Sequence, residues 1–406
     1  MFPRPKLTVC VPSRNRQRTF KETIRALLQR PRVDVQFVFA DNSDDPTIMD
    51  TFMADRLADP RIVYLSSPPE TLSMVLNWER SIEAAEGEFI CMIGDDDYVD
   101  VKVIDMINRV QALDPALDVL GWHRMSYNWP GMPRPPANVA VSLETNVRKI
   151  PRELLYTEFF GWRGVPNTPR IPIGFYHGAV SKALMDSFKE RFGSYCGNPV
   201  VDFDNVCKVV SSAKALYFCG RPFSVMGACA ESNSAAAYNT DIYKQSHKRF
   251  MKEVGRNTDE DDYLKDTPFR AEMGLMACIL TVQIWFTKTY GYEMLPGWEK
   301  GFAEACSRNC EYMDTKESYD HTVRGYRRAL RQWQGGKYIP FFKPEPFIDR
   351  YKARLKTGVI DGKLFLEERL PGISTPEELY AFVEQIIVPP EEVTIEAQPA
   401  RVAKSA

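Results

Sequence analysis

Over its first hundred residues the chain alternates short apolar runs, 7–12, 33–40, 61–65 and 88–93, with stretches of helical periodicity at about 19–29, 46–57 and 72–85. Apolar runs of that length suit strands buried on both faces, and strand-helix-strand alternation at this spacing requires right-handed crossovers. The expected fold class is therefore α/β, a Rossmann-like, mainly parallel sheet flanked by helices. In such sheets, ligands bind beyond the C-terminal ends of the strands, so the loops there carry the functional argument.

The loop after the first run is Pro12-Ser13-Arg14-Asn15-Arg16. It has no glycine, and a dinucleotide fingerprint or phosphate loop needs glycine to bring backbone amides close to phosphate. The fourth run ends in Gly94-Asp95-Asp96-Asp97. Adjacent carboxylates repel one another unless solvent or a cation relieves them. Hard oxygen ligands at this edge suit Mg2+ or Mn2+ carrying a phosphorylated substrate, whereas the plain reading is an acidic turn ahead of a helix near Asp100.

The rest of the composition removes other classes. Lys and Arg total 52 against 54 Asp and Glu, a net charge of -2, which gives no basic excess for nucleic acid. The nine cysteines are odd in number, form no CxxC pair and sit mostly in apolar stretches, as expected of free thiols in a reducing cytoplasm. Cys306 and Cys310 lie four apart on an expected helix with no histidine beside them, so a metal there is disfavoured. The apolar stretch 273–286 is broken by Gln283 and falls short of the roughly 20 residues that span a bilayer. Helical periodicity dominates from about residue 239 to Trp333. Ser374-Thr375-Pro376-Glu377-Glu378 opens one more helix, with hydroxyl cap, proline and acids in the expected order. The expected organisation is a sheet domain over 1–238, a helical region over 239–345, an extension with a short helix over 346–388, and a disordered tail over 389–406.

Three segments in order, Val9-Cys10-Val11-Pro12-Ser13-Arg14-Asn15-Arg16, Phe37-Val38-Phe39-Ala40-Asp41-Asn42-Ser43-Asp44-Asp45 and Glu86 to Asp97, resemble the N-terminal half of family 2 glycosyltransferases, an inverting group with the GT-A fold. The resemblance implies that Pro12, Ser13, Arg14 and Asn15 line the nucleotide base. It also implies that Asp41 accepts a hydrogen bond from the base, a task for which a carboxylate suits the imide N–H of uracil or thymine. Asp95, Asp96 and Asp97 correspond to the DxD element, with Asp97 and Asp96 on the metal and Asp95 on the sugar or ribose. The alternative pairs Asp95 with Asp97 as ligands. Asp202, in Asn198-Pro199-Val200-Val201-Asp202-Phe203-Asp204, matches the catalytic base, with Asp204 the runner-up; the plain reading makes either a helix cap. The family's downstream histidine is missing after Gly220-Arg221-Pro222, leaving solvent or Glu231 to complete the metal shell. His177 is expected to be a satisfied loop histidine.

The implied activity is transfer from a nucleoside diphosphate sugar, a UDP-sugar by preference, to a hydroxyl of a glycan or glycolipid. The chain has neither the membrane helices nor the QxxRW element of processive synthases, so single addition in the cytoplasm or at the inner membrane face is expected. Trp285, Phe286, Tyr290 and Trp298 are candidates for a peripheral membrane or oligomer contact, with core packing the commoner use of such residues. The competing readings are a nucleotidyltransferase and a degenerate GT-A module that binds a glycan.

Overall fold

In a computed structural model, the structure describes residues 4–131, 138–165, 169, 173–232, 241, 243–245, 248, 251–252, 260–270, 273–349, 356–367 and 370–396. The N-terminal half follows the expected alternation. Its elements are β1 (Leu7–Ser13), α1 (Gln17–Leu28), β2 (Val35–Asp41), α2 (Thr47–Met53), β3 (Ile62–Leu65), α3 (Met74–Glu83), β4 (Phe89–Met92), β5 (Tyr98–Val99) and α4 (Val103–Leu113). The next elements are β6 (Val119–Asn128), β7 (Asn138–Ser142), β8 (Asn146–Lys149), α5 (Arg152–Gly161), β9 (Gly178–Ser181), α6 (Lys182–Phe192), α7 (Val201–Ser212) and β10 (Leu216–Ala228).

The main sheet has the order β13-β8-β10-β6-β9-β4-β1-β2-β3, with β5 joined to β10 and β13 formed by Thr394–Ile395. The pairs β1–β2, β1–β4, β2–β3, β6–β10 and β8–β13 are parallel. Strand β9 is antiparallel to both β4 and β6, so the sheet is mixed although mostly parallel. This is the mainly parallel sheet flanked by helices that the sequence leads one to expect. A second, three-stranded sheet joins β7 to the hairpin β11 (Gly358–Ile360) and β12 (Lys363–Glu367).

Strand periodicity sorts the apolar residues into two cores. Leu7, Val9, Val11, Phe37, Phe39, Phe89 and Cys91 face a core shared with α1 and α4, while Cys10, Val38, Ile90 and Met92 face the opposite one. Helices α8 (Leu275–Tyr290), α9 (Trp298–Cys310) and α10 (Lys316–Gln332) complete the second core against α5, α6 and α7. Phe286 is fully buried there; Trp285 and Tyr290 pack edge to face on each other, and Trp298 packs against Trp333. Trp285, Tyr290 and Trp298 are half-buried and pack against this core. Among the described residues no helix is long and apolar enough to cross a membrane. The expected helix over 242–254 lies largely outside the described residues.

The C-terminal segment departs from its expectation. Thr375 and Glu378 form the capping box of α11 (Pro376–Glu384), which packs on β10. Arg221, almost wholly buried in β10, donates to Tyr380 Oη at 3.0 Å and Val388 O at 2.6 Å. Arg109 of α4 donates to Val393 O at 2.8 Å, and Thr394–Ile395 pairs with β8. Residues 389–396 are thus an ordered edge of the main sheet and not part of a loose tail, and the sheet domain takes residues from both ends of the sequence. Buried Arg221 and half-buried Arg109 tie this segment down, because their guanidinium groups take carbonyl acceptors that it provides.

Candidate active site

Register brings the candidate residues to one edge. Ser13 pairs with Asp41 at the ends of β1 and β2, and β4 runs beside β1 into the acidic loop. Asn15 has a left-handed backbone (φ 56°), and its side chain exchanges two 2.9 Å hydrogen bonds with Asp44. That exchange ties the 12–16 loop to the 41–45 loop. Pro12 is buried within β1, Asn15 is exposed, and half-buried Arg14 lies 3.7 Å from Asp44.

Asp41 is fully buried. Its Oδ1 accepts from Ser43 N at 3.2 Å and Ser43 Oγ at 2.6 Å, while Oδ2 has no hydrogen-bond partner. Burial pushes its pKa up, with the Ser43 hydrogen bonds acting against it. Arg80 of α3 holds the backbone beneath by donating to Asp41 O and, at 2.8 Å, to Asn77 Oδ1. A buried acceptor kept without a donor is costly, and it is a natural seat for an incoming N–H group.

The three acidic residues occupy distinct environments. Asp97 is saturated: Oδ2 takes bonds from Gly94 N at 2.7 Å, Tyr176 Oη at 2.9 Å and His177 Nε2 at 2.9 Å, and Oδ1 takes one from Gly227 N at 2.7 Å. Burial alone would raise its pKa, but the charge and hydrogen bonding of His177, with the two amides, hold it below the usual carboxylate range. His177 is itself fixed by Ser224 Oγ at 2.9 Å, which also accepts from Trp122 Nε1 at 2.9 Å. It is the satisfied histidine expected, and it braces Asp97.

Asp95 accepts from Ser13 Oγ at 2.5 Å through Oδ2, and its Oδ1 lies 2.7 Å from Arg16 Nη2 in an ion pair that lacks hydrogen-bond geometry. Asp96 Oδ2 takes Arg16 Nη1 at 3.3 Å and Cys229 N at 3.2 Å, while Trp129 Nε1 donates to its backbone oxygen at 2.8 Å. Burial pushes Asp95 up to about 7 and raises Asp96 as well, both against the pull of Arg16. One guanidinium facing two buried carboxylates leaves negative charge in excess.

That excess is the test of whether a divalent cation suits the site. Mg2+ and its relatives are commonly held by only one or two carboxylates plus substrate phosphates, and Asp95 and Asp96 meet that requirement. Asp97, with four donors on its two oxygens, is the least open of the three to a cation. Among the described residues no three acidic, histidine or cysteine side chains converge as a ready-made metal cage. Glu231 is exposed.

The two candidate bases also separate. Neither Asp202 nor Asp204 caps α7, whose N-cap is Val200. Asp204 is fully buried, accepting from Lys208 Nζ at 3.0 Å and Gly197 N at 2.6 Å, and Lys208 is buried with it. Asp202 is half-buried and accepts from the adjacent Phe203 N at 2.9 Å. Burial raises its pKa, and the charge of Arg124 lowers it in part. The charge of Arg124 also acts on Tyr176, the residue that donates to Asp97.

Residues 3–159 match the family described as "Glycosyltransferase like family 2". That match covers the N-terminal strands and the acidic loop and shows what this part of the chain is similar to. No curated protein sequence matches the chain. Solved structures similar to this chain include S. aureus TarS 1–349, at 13% identity over 91% of this chain and 98% of that one, with a TM-score of 0.43. The same fragment in complex with UDP-GlcNAc gives 14% identity over 90% and 97%, with a TM-score of 0.44. S. aureus TarS in its longer form gives 13% over 91% and 60%, with a TM-score of 0.40.

Several participants carried no recognisable signal in the sequence. Arg124, Trp129, Gly227 and Cys229 lie on β6 and β10 or just after them and are brought together by the pairing of those strands, while Tyr176 lies just before β9 and is bridged to Met92 at the end of β4.

Proposed function

We propose that the chain transfers a sugar from a nucleoside diphosphate sugar to an acceptor hydroxyl, with inversion at the anomeric carbon. The observation that carries this reading is the contrast between the two carboxylates of α7. Burial raises the pKa of both, but Asp204 is fully buried and ion-paired with Lys208, whereas Asp202 is half-buried and accepts from the adjacent Phe203 N at 2.9 Å. A carboxylate in that state can take the acceptor's proton as its oxygen attacks, and direct displacement needs no enzyme nucleophile.

The nucleotide end is supported by Asp41, whose free Oδ2 would accept the imide N–H of uracil or thymine, with Pro12 to Asn15 beside the base. UDP-sugars are the preferred donors on this ground. Asp95 and Asp96 would hold Mn2+ or Mg2+, which when bound supplies positive charge to the departing diphosphate. Asp97 holds the loop in shape through Tyr176, His177 and the two amides. The acceptor is read as a glycan or glycolipid hydroxyl, reached in the cytoplasm.

A thermal-shift series with UDP, TDP, GDP and ADP, with and without Mn2+, tests the donor assignment, because a ligand that binds only the folded state raises its melting temperature. A selective rise with uridine or thymidine diphosphate is expected. An equal response to all four bases removes the role given to Asp41.

A further inference from the structure

We propose that Arg16 is an exchangeable counter-ion: its guanidinium holds the place of a divalent cation between Asp95 and Asp96 in the nucleotide-free protein, and yields it to become a diphosphate ligand when metal and nucleotide arrive. The second half of this proposal rests on the nucleotide-sugar reading above; the first half does not.

Arg16 stands at the N-cap of α1, at the mouth of the loop after β1. One nitrogen lies 2.7 Å from Asp95 Oδ1 and another 3.3 Å from Asp96 Oδ2, so one planar fork spans both carboxylates named as metal ligands. Neither contact is of the bidentate kind that fixes an Arg–carboxylate pair, since the Asp95 contact lacks hydrogen-bond geometry and the Asp96 contact is long. The carboxylates are almost fully buried, yet the Arg16 side chain keeps 23% of its surface open to solvent. The group is therefore anchored on one side and accessible on the other, as an anion-binding guanidinium must be. A divalent cation between the same oxygens would neutralise both charges where Arg16 neutralises one. Displaced by a short rotation, the fork would still lie at the strand edge where the diphosphate of a bound nucleotide is expected.

The proposal predicts effects of opposite sign from one substitution. In Arg16→Gln, Mn2+ alone should bind more tightly than to the wild type, by about tenfold, because no internal cation competes for Asp95 and Asp96. In the same variant UDP measured with saturating Mn2+ should bind more weakly, by about tenfold to a hundredfold, because a charge-assisted contact to phosphate is gone. Calorimetry with MnCl2 alone and then with UDP reads both, and a cooperative thermal transition without ligand reports that the variant is folded. Should Arg16→Gln not fold, Arg16→Lys carries the test: a single ammonium cannot span both carboxylates, so both shifts keep their signs with smaller size. Mn2+ affinity that is unchanged or reduced overturns the counter-ion role. Tighter Mn2+ with undiminished UDP binding overturns the diphosphate role. If the wild type binds no nucleoside diphosphate at all, the donor reading fails and takes the diphosphate half with it, while the Mn2+ comparison still decides the counter-ion half.

Discussion

Replacing Gly227 by alanine gives a sharp test of the site's architecture. A Cβ at this position would lie 1.7 Å from the backbone oxygen of Asp96 and 2.8 Å from Trp129 Nε1. Because the nearest atom is backbone, no rotamer change relieves the clash, and either β10 or the acidic loop must move. Movement breaks the 2.7 Å bond from Gly227 N to Asp97 Oδ1 and the 2.8 Å bond from Trp129 Nε1 to Asp96 O. The first, to a charged acceptor, is worth about 1.5–3 kcal/mol and the second about 0.5–1.5 kcal/mol, so the loss is about 2–4.5 kcal/mol. At roughly 2 °C per kcal/mol for a chain of this size, the melting temperature should fall by about 4–9 °C. Gly325→Ala in α10 is the control, since a Cβ there meets nothing nearer than Met273 Cε at 3.9 Å and should stabilise by about 0.5–1 kcal/mol. Differential scanning fluorimetry of both variants, with Mn2+ and UDP titrations, gives the comparison. A Gly227→Ala protein that melts with the wild type and keeps its ligand affinities would refute the close approach of β10 to Asp96.

Asp202→Asn should melt no lower than the wild type at neutral pH and abolish transfer, whereas Asp204→Asn strands Lys208 in the core, costs about 3 kcal/mol and leaves transfer per folded molecule intact; the reverse pattern in a donor-turnover assay would exchange their roles. Because burial raises the Asp202 pKa, the acid limb of kcat/KM should lie above the ordinary aspartate value of about 3.9, and a profile flat down to pH 4 contradicts it. The same shift has a stability sign: a raised folded-state pKa contributes stability that is complete below about pH 3.9 and lost as pH rises through the folded value. Melting temperatures of wild type and Asp202→Asn should therefore diverge between pH 4 and 7, the wild type losing ground. Asp41→Asn replaces the free acceptor with an amide and should weaken UDP binding by about tenfold or more without altering Mn2+ binding to the nucleotide-free protein.

Much of the N-terminal architecture was readable because period and chemistry agreed there. Apolar runs of strand length fixed β1 to β4 within a residue or two, and the turn-forming residues after them located Asp41 and Asp95 to Asp97 at one edge. The division of labour among the three acidic residues was not readable. It depends on Gly94, Tyr176, His177 and Gly227 converging on Asp97, and those contacts span up to 130 positions of sequence. Asp202 and Asp204 could be proposed from pattern but not ranked, because the ranking turns on Lys208 being folded inward one helical turn away. The tail was misjudged for a related reason: Thr394–Ile395 is too short to look like a strand, and its order comes from β8 and Arg109.

The pairing of β8 with β13 has a consequence for biosynthesis. Asn146 meets Thr394, 248 positions later (394 − 146). At about 5–20 residues per second, a ribosome needs roughly 12–50 seconds to make the intervening polypeptide. Throughout that interval β8 presents an unpaired flank to solvent, and β7 likewise waits for β12 (Lys363–Glu367), so both open edges close only near the end of synthesis.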